Sequence, residues 1–220
     1  MTQNSSIHRR AQKPFRILPK KLLSEFPKLL NPLINLLVRL KISPNALTII
    51  ALLAGVGAGV LFFFERLVWA GILIIICGIF DIIDGRVAVL TNKQSLYGAM
   101  FDSTLDRYSE FFIYLGIASY FRNHWALWIT FWTILGSTMV SYTRARAEGL
   151  GFECRVGFMQ RAERMVFLSL GTILGSLFKV FDIVMIAILI FIALVSNIAA
   201  IQRTLYVRKA EKLSKSGKQA

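Results

Sequence analysis

Residues 81–106 read DIIDGRVAVLTNKQSLYGAMFDSTLD and hold four of the five aspartates in the 220-residue chain. Asp81, Asp84, Asp102 and Asp106 interrupt two segments that otherwise read as membrane spans. A carboxylate within a span costs roughly 2.5 kcal/mol or more, so four together call for compensating charge. Asp81 and Asp84 are three residues apart, and Ala88 is seven from Asp81. At about 100° per residue these share one helical face. Gly98, Asp102 and Asp106 step by four and share another. Two helices then direct two carboxylates each at a common point. Gly85 and Gly98 let backbones and a substrate approach closely there. Four carboxylates suit hard divalent cations, Mg²⁺ or Mn²⁺. Two such ions, about 3.5–4 Å apart, would balance the charge and suit a displacement at phosphorus.

The surrounding chain is 55% hydrophobic with mean hydropathy +0.59, which fits a polytopic membrane protein better than a soluble domain. Its net charge of +14 would suggest nucleic acid in a soluble protein. Here the basic residues lie between and beyond the apolar runs. They read as topology signals and as contacts to anionic lipid or phosphate, with no nucleic-acid partner. Two cysteines, Cys77 and Cys154, build neither a disulfide framework nor a cysteine metal site. His8 and His124 have no metal-ligand neighbours. No cleavable signal peptide is expected, because the polar, basic start has no apolar stretch.

Residues 20–42 mix Leu22, Phe26, Leu29, Leu33, Leu37 and Leu40 with lysine and arginine, and Pro27 and Pro32 break any single long helix. They read as an amphipathic segment lying at the membrane interface. Ser43-Pro44 starts the next helix, with proline at its first position. Six apolar runs follow, near 45–64, 68–90, 97–121, 125–145, 164–178 and 181–203. Residues 1–44 hold nine lysines and arginines and the tail from Arg203 holds six, whereas the opposite side has only Arg66, Arg122 and Lys179. The positive-inside rule then makes both termini cytoplasmic and sets the aspartates at the cytoplasmic surface. The expected fold is an all-α integral membrane protein of six transmembrane helices, preceded by a cytoplasmic amphipathic juxtamembrane segment. Its parts are an interfacial segment over 1–42, a membrane domain over 43–206 and a basic cytoplasmic tail over 207–220.

The pattern D-x-x-D-G-x-x-A-R followed by G-x-x-x-D-x-x-x-D resembles that of the CDP-alcohol phosphatidyltransferases. Asp81, Asp84, Gly85, Ala88, Gly98, Asp102 and Asp106 match in order and spacing, seven positions in 26 residues. Val89 stands where the family has arginine. The resemblance runs from Ser43 to the last span. It implies displacement of CMP from CDP-diacylglycerol by an alcohol hydroxyl, with two Mg²⁺ or Mn²⁺ ions. By the same resemblance Asp81, Asp84 and Asp102 hold one ion and Asp81, Asp102 and Asp106 the other. Asp106 also acts as general base. Asn45, Thr48, Gly85 and Ser95 match positions that contact the CDP-lipid. The resemblance further implies a homodimer and a location in the cell's inner membrane.

Ser141-Tyr142-Thr143-Arg144-Ala145-Arg146-Ala147-Glu148 and Gln160-Arg161-Ala162-Glu163-Arg164 resemble elements of the bacterial phosphatidylinositol-phosphate synthases within that family. Arg144, Arg146, Arg161 and Arg164 are thereby candidates for the acceptor's phosphate, since guanidinium forks match phosphate oxygens. A phosphorylated polyol is the expected acceptor. Inositol phosphate comes first, with glycerol 3-phosphate as the alternative. A cation-coupled transporter with an intramembrane carboxylate site is the rival of another class. Val89 removes one expected contact to the CDP-lipid, and Arg86, one turn earlier, is its nearest substitute. Val89→Arg is therefore expected to lower the KM for the CDP-lipid. An unchanged or raised KM in steady-state kinetics contradicts this reading.

Overall fold

The computed structural model describes residues 28–152, 154 and 159–216; the rest of the N-terminal segment, Arg155, His8 and the last four residues lie outside them. Seven helices account for most of these residues, and no strand occurs among them. They are α1 Asn31–Arg39, α2 Pro44–Phe63, α3 Leu67–Leu90, α4 Leu96–Tyr120, α5 Ala126–Gly149, α6 Arg161–Leu177 and α7 Phe181–Ser216.

Helices α2 to α7 coincide with the six apolar runs, and their differences lie at the charged ends. Helix α5 continues to Gly149, where Arg144 and Glu148 pair at i,i+4. Helix α6 starts three residues early, because Gln160 and Glu163 form a reciprocal capping box around its first turn. Helix α7 runs unbroken through position 206, where the basic tail is expected to begin, and reaches Ser216. Pro44–Phe63, Leu67–Leu90 and Phe181–Lys212 are long and apolar enough to cross a membrane. The other three fall short for visible reasons. Helix α4 carries Asp102, Asp106, Arg107 and Glu110. Thr130, Thr133, Ser137 and Ser141 dilute α5, and α6 has 17 residues.

Helix α1 is amphipathic in fact. Pro32 sits in its first turn, where a missing N–H costs nothing. Ile34 and Leu37 are buried against Leu47 of α2 and Ile83 and Val87 of α3. Leu33, Leu36 and Leu40 remain exposed. The segment therefore covers the ends of α2 and α3 beside Asp84 and presents a second apolar face outward. Helix α2 begins as the sequence predicts, with Pro44 at N1 and the Ser43 hydroxyl accepting from the Ala46 N–H at 3.3 Å.

The main apolar core joins Ala58 and Phe62 of α2, Ala70 and Ile74 of α3, Ile113 and Ile117 of α4, Leu168 of α6, and Met185 and Leu189 of α7. At the end away from the aspartates, the Tyr120 hydroxyl donates to Asp182 at 2.8 Å, which accounts for the one aspartate outside the cluster. The crossing of α2 and α4 sets the site. Gly59 packs on the Phe112 carbonyl, and Gly116 packs on the Gly59 backbone. A Cβ at Gly55 would lie 2.7 Å from the Ser109 Cβ. Three small positions thus let α4 lie directly against α2 and carry Asp102 and Asp106 inward. Gly116→Val is expected to destabilise the fold by about 1–3 kcal/mol through overpacking. Gly78→Ala, whose added carbon meets nothing within 4 Å, is the matched control, expected within about 0.5 kcal/mol of the parent. Thermal unfolding of detergent-purified protein separates the two.

Candidate functional site

Asp81 on α3 and Asp102 and Asp106 on α4 bring one carboxylate oxygen each to within 4.8 Å of one another. All three are half-buried. Three of the four expected carboxylates thus meet, one from α3 and two from α4. Asp102 Oδ1 is buried and has no hydrogen-bond partner. Buried polar atoms are almost always satisfied, and an unpaired carboxylate oxygen at this place fits a metal ligand. Three hard oxygens at this separation fit Mg²⁺ or Mn²⁺.

Asp84 stands slightly apart from the three. It is 3% exposed, and its Oδ2 accepts the Thr48 hydroxyl at 2.7 Å. Its nearest charged neighbours are Asp102 and Asp81, so it borders the cluster. Thr48, expected at the CDP-lipid, is here the residue that orients Asp84. Asn45 lies one turn earlier on α2. Its Oδ1 is 3.8 Å from where a Cβ on Gly98 would stand. Ser95 caps α4, accepting the Gly98 N–H at 2.9 Å. Gly85 is exposed with nothing within 4 Å of its missing side chain, so the surface of α3 is open there. Val89 is 54% exposed one turn beyond it. The four expected CDP-lipid positions thus lie along the ends of α2, α3 and α4 that carry the carboxylates.

The four expected phosphate arginines separate into two groups. Arg161, in the first turn of α6, enters the carboxylate cluster. Its Nη1 lies 2.9 Å from Asp81 Oδ2 and 2.8 Å from Asp106 Oδ1. Its Nη2 donates to Ser109 Oγ at 3.0 Å. Arg164, expected in the same role, meets protein groups here. It is 1% exposed, and every edge of its guanidinium is engaged: Nε and Nη2 with Glu110 at 2.6 and 2.8 Å, and Nη1 with the Met159 carbonyl at 2.9 Å. Arg144 and Arg146 end α5; Arg144 pairs with Glu148 at the surface, and Arg146 lines a small cleft with Arg203 of α7.

Glu110, Ser109 and Arg203 were not singled out by sequence. Glu110 is an acidic residue one turn past Asp106 in an apolar run, which was a usable signal. Arg203 closes the last apolar run and reads as ordinary flanking charge. It is 6% exposed, and it donates to the Val140 carbonyl. Its charged neighbours include Arg144 and Glu148, so the basic ends of α5 and α7 form one region. A cavity of about 590 Å³ lies between α4 and α5, lined in part by Thr104, Arg107, Glu110 and Phe111, and none of the aspartates lines it.

An all-helical bundle with three long apolar helices that gathers hard carboxylates from α3 and α4 fits a membrane protein with a divalent-metal site. The chain belongs to the CDP-alcohol phosphatidyltransferase family, whose sequence pattern matches residues 41–205. It is an integral membrane protein and a transferase of that family. It shares 35% identity over 187 residues with the archaetidylinositol phosphate synthase of Pyrococcus horikoshii, covering 83% of this chain and 94% of that one. It shares 33% identity over 196 residues with the phosphatidylinositol phosphate synthase of Streptomyces avermitilis, covering 84% and 80%. The phosphatidylinositol phosphate synthase of Mycobacterium tuberculosis, solved in complex with manganese and citrate, superposes with a TM-score of 0.74 at 26% identity, covering 80% of this chain and 87% of that one.

The Thr48 contact gives a direct check. Thr48→Val keeps the shape but removes the hydroxyl donor from buried Asp84, at an expected cost of about 1–3 kcal/mol. Thr48→Ser should restore most of it. Equal unfolding temperatures for Thr48→Val and the parent would contradict the contact.

Proposed function

We propose that this chain transfers the phosphatidyl group of CDP-diacylglycerol to a phosphorylated polyol, inositol phosphate first, and releases CMP. The convergence of Asp81, Asp102 and Asp106 carries the reading, because it supplies the metal ligands and the base that such a displacement needs. The acceptor is supported by the relatives. The synthases from P. horikoshii and S. avermitilis differ in the lipid half of their names and share inositol phosphate.

In this reading the four aspartates hold two Mg²⁺ or Mn²⁺ ions, with Asp81 and Asp102 shared between them. The ions would supply charge neutralisation of the diphosphate and of departing CMP. Asp106 takes the proton of the acceptor hydroxyl as its oxygen bonds to the phosphorus next to the lipid. The bond from that phosphorus to CMP breaks, and CMP keeps the electron pair. Asn45, Thr48, Gly85 and Ser95 border the nucleotide end. Arg161, with Arg144 and Arg146, holds the acceptor's phosphate, while Arg164 is committed to Glu110. Helices α2 to α7 cross the membrane six times, with both termini and the site cytoplasmic. The basic residues gathered at the ends that carry the aspartates support this. The membrane domain spans 43–206, between the interfacial segment 1–42 and the basic tail 207–220. The protein acts as a homodimer in the inner membrane, a reading that rests on the family resemblance.

The test is CMP release from CDP-diacylglycerol by purified protein given inositol phosphate, glycerol 3-phosphate or free inositol. Release should require Mg²⁺ or Mn²⁺, be fastest with inositol phosphate, and fall by about 10²-fold or more in Asp106→Asn. Arg161→Ala should raise the KM for the acceptor far more than that for the CDP-lipid. Preference for glycerol 3-phosphate overturns the acceptor. Ion flux in liposomes with no CMP formed overturns the reaction.

A further inference from the structure

Two arginines at the start of α6 both reach α4, and the first of them also reaches α3. Arg161 reaches Asp81, Asp106 and Ser109. Arg164, three residues on, grips Glu110 through both carboxylate oxygens. Ser109 and Glu110 follow Asp106 by three and four residues, so the second pair lies one turn deeper on each helix. The deeper pair is buried, with side chains 1% and 6% exposed, and Glu110 borders the α4–α5 cavity. Its third edge holds the Met159 carbonyl just before α6 begins. Rotation or sliding of α6 against α4 would break two short charged bonds at once.

We propose that Glu110 and Arg164 are a positioning pair for the transfer site: they fix the register of α6 on α4 and so deliver the Arg161 guanidinium to Asp81 and Asp106. A buried ion pair is a poor device for stability alone, because a well-packed apolar pair of similar volume often does as well or better. What two fork-to-carboxylate bonds add is a single allowed orientation. That orientation matters here because Arg161 stands on two carboxylates that also serve as metal ligands. Its charge opposes a bound cation and attracts an anionic acceptor, so its placement tunes both. This inference deepens the proposed reaction and rests on it for the acceptor, whereas the placement of Arg161 is independent of it.

The experiment is a mutant cycle on the detergent-purified chain. Glu110→Gln, and the apolar replacement Glu110→Leu with Arg164→Met, are each made with Arg161 intact and with Arg161→Ala. Mn²⁺ binding is read by electron paramagnetic resonance without substrates, unfolding temperature is recorded, and acceptor and CDP-lipid KM values are measured. Arg161→Ala should tighten Mn²⁺ binding by about threefold or more, since one positive charge leaves the ligands. Glu110→Gln and the apolar pair should shift Mn²⁺ binding the same way and raise the acceptor KM selectively. Both effects should vanish once Arg161 is already alanine. The apolar pair keeps the test open where the single variant fails to fold. Effects of the same size with and without Arg161 overturn the proposal, as does unaltered Mn²⁺ binding in a folded apolar-pair variant. A complete cycle in Mn²⁺ binding with no CMP release from any acceptor would overturn the reaction and leave the positioning pair standing.

Discussion

Repulsion among carboxylates is the constraint on which the rest of this structure depends. Asp81, Asp102 and Asp106 hold oxygens within 4.8 Å of one another, and Asp84 lies buried beside them. Two like charges about 4 Å apart repel by about 4 kcal/mol at an effective dielectric of 20. Such a cluster persists only where fixed positive charge and close packing hold it. One part of that charge is Arg161 of α6. The unsatisfied Asp102 oxygen fits a divalent-cation ligand, and such a cation would supply the remainder.

Bringing the charges together requires backbones closer than ordinary side chains permit. Gly55, Gly59 and Gly116 let α4 lie against α2, and the short 64–66 turn returns α3 to the same end. Thr48, one turn into α2, then meets Asp84, and α6 closes the site from the far side of α3 and α4. The apolar core fills the other part of the bundle, where Phe62, Phe121 and Phe181 gather and Tyr120 holds Asp182. One end is therefore a packed anchor and the other a charged working surface.

The fold was legible because its signals are strong and local. Long apolar runs, Ser43-Pro44 and the four-residue steps of Gly98, Asp102 and Asp106 each constrain a helix without reference to tertiary structure. The convergence of α3 and α4 followed from where their carboxylates fall. What sequence did not reveal was which arginine meets which acid. Arg161 and Arg164 sit three apart in the same basic stretch, and nothing local says that one enters the metal ligands while the other is buried on Glu110. That choice depends on the register between α4 and α6, which is a tertiary quantity. Thr48 and Ser95 were likewise legible as polar site residues, while their bonds to Asp84 and to the Gly98 N–H needed coordinates. The charged ends of α5 and α7 extend past the apolar runs and were not legible, because helical charged turns resemble loops in composition.

The most direct measurement of the central claim is the stoichiometry of Mn²⁺ bound to the purified chain, compared with that of Asp102→Asn. A two-ion carboxylate site predicts two Mn²⁺ per chain, with at least one lost in the variant. One ion per chain, or binding that Asp102→Asn leaves untouched, would contradict it.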